Sequence, residues 1–93
     1  MSLHIVSKSP FSSTALADCL TSFIEGDALV LIEDGVYALS GALKSQPVVG
    51  PVYCLAADAQ ARGLTIPAAV EAIDDDRWAS LCTEHNPIVS WFR

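Results

Sequence analysis

Positive charge is scarce in this sequence. Lys8, Lys44, Arg62, Arg77 and Arg93 are its five basic side chains, against eleven acids, and the formal net charge is −6. Affinity for nucleic acid comes from clustered Lys and Arg meeting phosphate. Scattered cations build no such patch, so direct binding of RNA or DNA is not expected. Glycine is also thin and spread out, at Gly26, Gly35, Gly41, Gly50 and Gly63. They assemble into no GxGxxG and no GxxxxGK(S/T), the usual nucleotide-binding loops. No apolar run approaches the ~20 residues that span a bilayer. The start, MSLHIVSKSP, lacks a charged region followed by an apolar one, so no signal peptide is expected. Cys19, Cys54 and Cys82 lie far apart, with no CxxC and no zinc spacing. An odd number of cysteines argues against a secreted disulfide scaffold. The expectation is a cytoplasmic protein with reduced thiols, no membrane segment, no metal and no cofactor.

Apolar side chains, by contrast, are in excess. They make up 52% of the 93 residues, and the mean hydropathy is +0.41. The length suits one domain spanning residues 1–93. A chain this short buries only about 60–65% of the surface its unfolded form exposes. The apolar remainder is expected to lie against other subunits, because large exposed apolar patches mark contact surfaces. An obligate oligomer follows.

The hydrophobic pattern alternates between strand and helix. LHIV, Leu3 to Val6, is a short β-branched strand. The Ser-rich loop SKSPFSST offers Ser9 before Pro10, or Ser12 to Thr14, as helix caps. Leu16, Leu20, Phe23 and Ile24 then share one helical face, with Gly26 as terminator. Ala28 to Ile32 are all apolar, as in a strand buried on both faces. Glu33, Asp34 and Gly35 follow as a tight strand-to-helix junction. Gly35 is expected to supply the turn, and Asp34 or Glu33 to cap a helix carrying Val36, Tyr37, Leu39, Ala42 and Leu43. VYCLA is a third strand, and a short helix from near Asp58 to Gly63 follows it. VEAID is a fourth strand. DDDRWASLCTEH is a helix capped by Asp74 or Asp75, with Trp78, Leu81, Cys82 and His85 inward and Pro87 as its stop. IVSWF is the last strand. This order predicts a small α/β domain of flavodoxin-like type, with a parallel sheet of about five short strands and helices on both faces.

Few residues point to chemistry. The SKSPFSST hydroxyls sit where a flavodoxin-like protein holds phosphate, but they serve equally as caps. His4 and His85 share no metal spacing with each other or with a cysteine and read as structural. Asp74, Asp75 and Asp76 precede a helix and read as caps and dipole partners. Cys54 lies inside an apolar strand, and Cys82 shares a face with Trp78 and Leu81; both read as core. Cys19 flanks the apolar stripe of the first helix. Its default is burial as a small hydrophobe, with a reactive thiol as the alternative.

Several pieces carry a resemblance. LHIVSKSPF from Leu3, EGDALVLIEDGVYA from Glu25, VYCLAADAQARGL from Val52 and a closing tryptophan segment occur in this order. Together they resemble the TusB/DsrH family of small sulfur-relay subunits, over Leu3 to Trp91. The resemblance implies the flavodoxin-like fold and assembly with two homologous subunits, TusC/TusD-like or DsrF/DsrE-like, as a dimer of heterotrimers. It also implies transfer of persulfide sulfur, through a downstream acceptor protein, toward 2-thiolation of tRNA wobble uridine. The main persulfide cysteine is then expected on a partner subunit. The sulfur-oxidation branch of the family has a cysteine matching Cys19, which makes Cys19 the candidate acceptor on this chain. The alternatives are a DsrH-type subunit of a sulfur-oxidation complex working through Cys19, or an assembly subunit without thiol chemistry.

Overall fold

The computed structural model describes residues 1–45 and 47–91. The chain runs β1 (Leu3–Val6), α1 (Ala15–Ser22), β2 (Ala28–Leu31), a 3-10 helix (Glu33–Ser40), α2 (Ala42–Ser45), β3 (Val52–Leu55), α3 (Ala56–Ala61), β4 (Val70–Ile73), α4 (Asp75–Glu84) and β5 (Ile88–Trp91). All five strands are parallel, in the order β4-β3-β2-β1-β5. The α/β class read from the alternation is the class observed.

The order itself differs from the 2-1-3-4-5 of flavodoxin. Strands step in one direction from β1 to β4, and the chain then returns to lay β5 on the far side of β1. Right-handed crossovers turn that route into two faces. The steps in one direction carry α1, the 3-10 helix and α2 onto a face built from Val6, Leu29, Leu31, Val52, Cys54 and Val70. The reverse step carries α4 onto the other face, where Leu81 packs among Leu3, Ile5, Ala28, Val30 and Ile73. Alternation along each strand feeds both cores, which is why β1 and β2 are buried throughout.

Two helices depart from the expected pattern. α1 ends at Ser22, and Phe23 is already extended. Its inward residues are Ala15, Leu16 and Cys19, while Ile24 is exposed. The reason lies in the turn that follows. Asp27 accepts a hydrogen bond from the Ile24 backbone N–H at 3.2 Å, and Gly26 adopts φ 96°. Together they bend the chain before the apolar stripe can continue.

The expected helix after Gly35 is a 3-10 helix that starts at Glu33. Gly41, at φ 126°, separates it from the single turn of α2. Its N-terminus has no side-chain cap of its own. Instead the Glu33 N–H donates to Asp58 Oδ2 at 2.7 Å, so the cap comes from α3 and neither Asp34 nor Glu33 supplies it. Gly35 is not the residue with positive φ either; that is Glu33, at 48°. Gly35 is required for space, because a Cβ there would overlap the carbonyl of Val6.

The remaining elements follow the sequence closely. α3 begins two residues before Asp58 and closes at Gly63, φ 66°, where the Leu64 N–H donates to the Ala59 carbonyl. Asp74 caps α4 by accepting from the Arg77 N–H at 2.8 Å. Leu81 is buried, and Trp78 and Cys82 are half-buried beside it.

Candidate functional site

A buried polar relay runs between the first and last strands. His4 points from β1 into the α1 face, a position that alternation reserves for core residues. It is 3% exposed and Asp27 is 2% exposed. Polar groups this deep persist only when their hydrogen bonds are satisfied. His4 Nε2 lies 2.9 Å from Asp27 Oδ2, and the indole N–H of Trp91 donates to His4 Nδ1 at 3.0 Å. Asp27 also accepts from the backbone N–H groups of Ser2, at 2.8 Å, and Ile24. An indole nitrogen only donates. Nδ1 must therefore be the bare nitrogen, which leaves the proton on Nε2, donated to Asp27. Burial by itself would raise the Asp27 pKa. The hydrogen bonds from Ser2, His4 and Ile24 outweigh it, and the carboxyl is held below its usual range.

Cys19 sits on the inward side of α1 in the same core. It is fully buried. Burial, and then the charge of Asp27, push its thiol up to about 12. A thiol acts as a nucleophile through its thiolate, so Cys19 is held in its inert form here. Cys54 is likewise buried, and burial raises its pKa. Cys82 is the half-buried thiol of the three.

A second cluster forms where β2 and β3 end, the edge at which α/β sheets place their chemistry. Arg62 reaches Asp34 Oδ1 through Nη2 at 3.0 Å and Nε at 3.2 Å. Its guanidinium also stands 5.9 Å from the centre of the Tyr37 ring. The EDGV and ARGL stretches of the sequence thus meet in space, as a brace between the 3-10 helix and the end of α3. With Asp34 and Asp58 beside it, Arg62 is already neutralised and offers no open anion site.

The SKSPFSST hydroxyls are engaged in local hydrogen bonds, although Thr14, the N-cap residue of α1, makes no side-chain cap, contrary to expectation. Ser9 Oγ accepts from the Phe11 N–H, Ser13 Oγ accepts from the Ala15 N–H, and Thr14 Oγ1 donates to Asp18. The carboxylate beside these hydroxyls disfavours an anion there. His85 donates its Nδ1–H to the Leu81 carbonyl, 2.9 Å away, as a structural histidine. Among the described residues, no group of three His, Cys, Asp or Glu side chains is placed to hold a metal ion, and no helix is long and apolar enough to cross a membrane.

Among the described residues, most of the exposed large apolar side chains emerge along one edge, Phe11 in the loop after β1 being the exception. Met1, Ile24 and Val49 are exposed just before β1, β2 and β3, and Ile88 is exposed at the start of β5. In a parallel sheet these positions share the N-terminal edge. The same edge opens into an apolar cleft of about 370 Å³, lined by Leu39, Leu43, Val48, Val52 and Val70, with Lys44 as its one charged lining residue. It lies beside the single turn of α2, against Val52 and Val70, the first residues of β3 and β4.

Sequence reasoning placed His4 in a strand and Cys19 on the apolar helix. It missed Asp27 and Trp91 as partners. The available signal was a histidine at an inward strand position, which must find both a donor and an acceptor.

Comparison with known proteins gives a consistent set of relatives. A family described as DsrH like protein matches residues 8–88. Protein TusB of Pectobacterium parmentieri is 38% identical over 96% of this chain and 99% of its own length. Protein TusB of Escherichia coli O81 is 35% identical with the same coverage. Among solved structures, the ychN protein of E. coli superposes with a TM-score of 0.71, covering 98% of this chain and 99% of that one at 20% identity. That likeness shows the fold alone.

Proposed function

This chain belongs to the DsrH family, to which its TusB relatives tie it over nearly its whole length, and from that premise we propose that it is the assembly subunit of a sulfur-relay complex serving 2-thiolation of tRNA wobble uridine. The persulfide-carrying cysteine lies on a homologous partner, and the complex is a dimer of heterotrimers that hands sulfur to a separate acceptor protein. One observation on this chain carries its part in that scheme: the two cysteines of the strand and first-helix core, Cys19 and Cys54, are buried with raised pKa values. Persulfide exchange needs an accessible thiolate, and neither provides one. The charge of −6 fits a protein that leaves tRNA to the recipient enzyme. The exposed apolar edge fits a subunit that completes its surface against others.

The competing reading makes Cys19 a working acceptor, as in the sulfur-oxidation branch. One experiment separates the two. The chain is co-purified with its two homologous partners, loaded with sulfane sulfur from a desulfurase and cysteine, and mapped by mass spectrometry after alkylation. Label on a partner cysteine, with none on Cys19, Cys54 or the half-buried Cys82, is expected. Label on Cys19, with slower delivery by Cys19→Ser in an intact complex, would establish the acceptor reading instead. Failure of the three chains to assemble would remove the relay proposal altogether.

A further inference from the structure

We propose that Trp91, His4 and Asp27 form a proton-operated latch on the last strand: protonation of His4 at Nδ1 breaks the indole hydrogen bond and frees Trp91, while the Asp27 end of the relay holds. The inference rests on the geometry of these three side chains and does not depend on the sulfur-relay reading.

The two nitrogens of His4 face opposite demands. At Nε2 a carboxylate oxygen, 2.9 Å away, asks for a proton. At Nδ1 an indole N–H, 3.0 Å away, requires a lone pair. Neutral imidazole satisfies both with a single tautomer. Imidazolium carries a proton on each nitrogen, so a proton taken from solvent onto Nδ1 occupies the lone pair that accepts from Trp91. Two N–H groups then point at one another and the indole has to move. At the other nitrogen the Nε2–H stays on Asp27, and the hydrogen bond becomes an ion pair. No other bond changes.

The surroundings leave these two partners in control. The rings of Phe23 and Trp91 flank the imidazole at centroid distances of 5.1 and 6.1 Å. In register beside it are Leu29 of β2 and Val89 of β5. Among the described residues, Asp27 is the charged group in contact with it. Cys19 of α1, close enough to feel Asp27, is a neutral thiol throughout. The carboxylate at Nε2 can accept from either form of the ring, whereas the indole N–H at Nδ1 fits only the neutral one.

The latch acts on one end of β5. This edge strand pairs with β1 alone. Its entry is tied by backbone bonds, Leu3 N–H to the Pro87 carbonyl and Asn86 N–H to the Met1 carbonyl, each 3.0 Å. At its far end Trp91 is the anchor, packed on the core that contains Cys19. Release therefore frays the exit of β5 and leaves its entry in place. Any partner that binds β5 with Trp91 docked must, by linkage, disfavour protonation of His4.

Nuclear magnetic resonance on the full chain, in the assembly that keeps it in solution, tests this with nitrogen-15 in the imidazoles and indoles. At neutral pH, His4 should carry its proton on Nε2. As pH is lowered from about 8 to about 5, the Trp91 indole resonance should move together with those of the His4 ring while that of Trp78 does not. Trp91→Phe, which removes the opposing donor, should shift the His4 midpoint upward. A proton on Nδ1 at neutral pH overturns the proposal. So does an indole resonance that stays fixed while His4 titrates, a His4 that does not titrate in this range, or an unchanged midpoint in Trp91→Phe. Should that variant fail to fold, the wild-type tautomer and the coincidence of midpoints decide alone.

Discussion

Gly35 lies with its Cα against the carbonyl of Val6, so close that a side chain of any size would overlap the backbone of β1. Backbone cannot swing aside as a side chain does, so Gly35→Ala should destabilise the fold by about 1–3 kcal/mol or more. Gly63 makes the contrast. It has φ 66° and open space around its Cα. Gly63→Asn, a residue tolerant of the left-handed region, should cost less than about 1 kcal/mol. Urea unfolding of both variants checks the pair, and equal losses would show that space is not what position 35 requires.

Native-state alkylation should rank the thiols by burial. Cys82 is half-buried, whereas Cys19 and Cys54 are fully enclosed. Cys82 should react first, and the other two only as fast as the protein opens globally. Alkylation of Cys19 ahead of Cys82 in the folded chain would mean that α1 opens locally.

Asp27→Asn should cost on the order of 2 kcal/mol at neutral pH, the scale of buried hydrogen bonds to a charged group. The Asp27 carboxyl has a lowered pKa in the folded state. Its stabilisation is thus complete above the unfolded value of about 3.9 and is lost as pH falls through the lower folded value. The gap between wild type and variant should therefore narrow as pH falls below about 3.9. Denaturant midpoints measured across that range provide the check; a gap that widens in acid would contradict the sign.

The Asp34–Arg62 contact should add little to stability despite its good geometry. Asp34 is 59% exposed, and water screens the pair. A double-mutant cycle should give a coupling below about 1 kcal/mol that shrinks with salt. A coupling of several kcal/mol, insensitive to salt, would show that the brace is more deeply shielded than its exposure indicates.

The isolated chain should self-associate through its N-terminal edge. Val49, 70% exposed between Val48 and Gly50, is a direct probe. Val49→Glu should leave stability within about 0.5 kcal/mol, as exposed substitutions do, while shifting light scattering toward monomer. A monodisperse wild-type monomer at micromolar concentration would remove the premise.

The sheet was legible because its signals are local and redundant. LHIV, ALVL and VYCL are short apolar runs bounded by turn residues, and each became a strand. Asp74 announced its helix by type and position. What escaped depends on distant partners. Nothing near Phe23 says that Asp27 will draw the Ile24 N–H and end α1 early. Nothing near Glu33 says that its cap will arrive from Asp58. Gly35 was recognisable as necessary, but the carbonyl that makes it so belongs to Val6, at the end of β1, 29 residues earlier in the sequence. At the candidate site, the pattern placed Cys19 beside an apolar stripe. Its full enclosure depends on α1 packing against Val6, Leu29 and Leu31 of strands that lie elsewhere in the sequence.

The strand order sets a schedule for synthesis. β1 emerges first, yet one of its two edges is filled only by β5, the last strand made. The His4–Trp91 bond closes a span of 87 residues. At translation rates of about 5–20 residues per second, β1 waits several seconds with an open edge and a buried-type histidine lacking its indole. Long-range closure of this kind slows folding, and an unpaired apolar strand invites wrong neighbours. A nascent chain that stalls before Trp91 therefore holds a four-stranded sheet in which the fully apolar β1 is an edge, and the emergence of β5 moves that edge to a more polar, less buried strand.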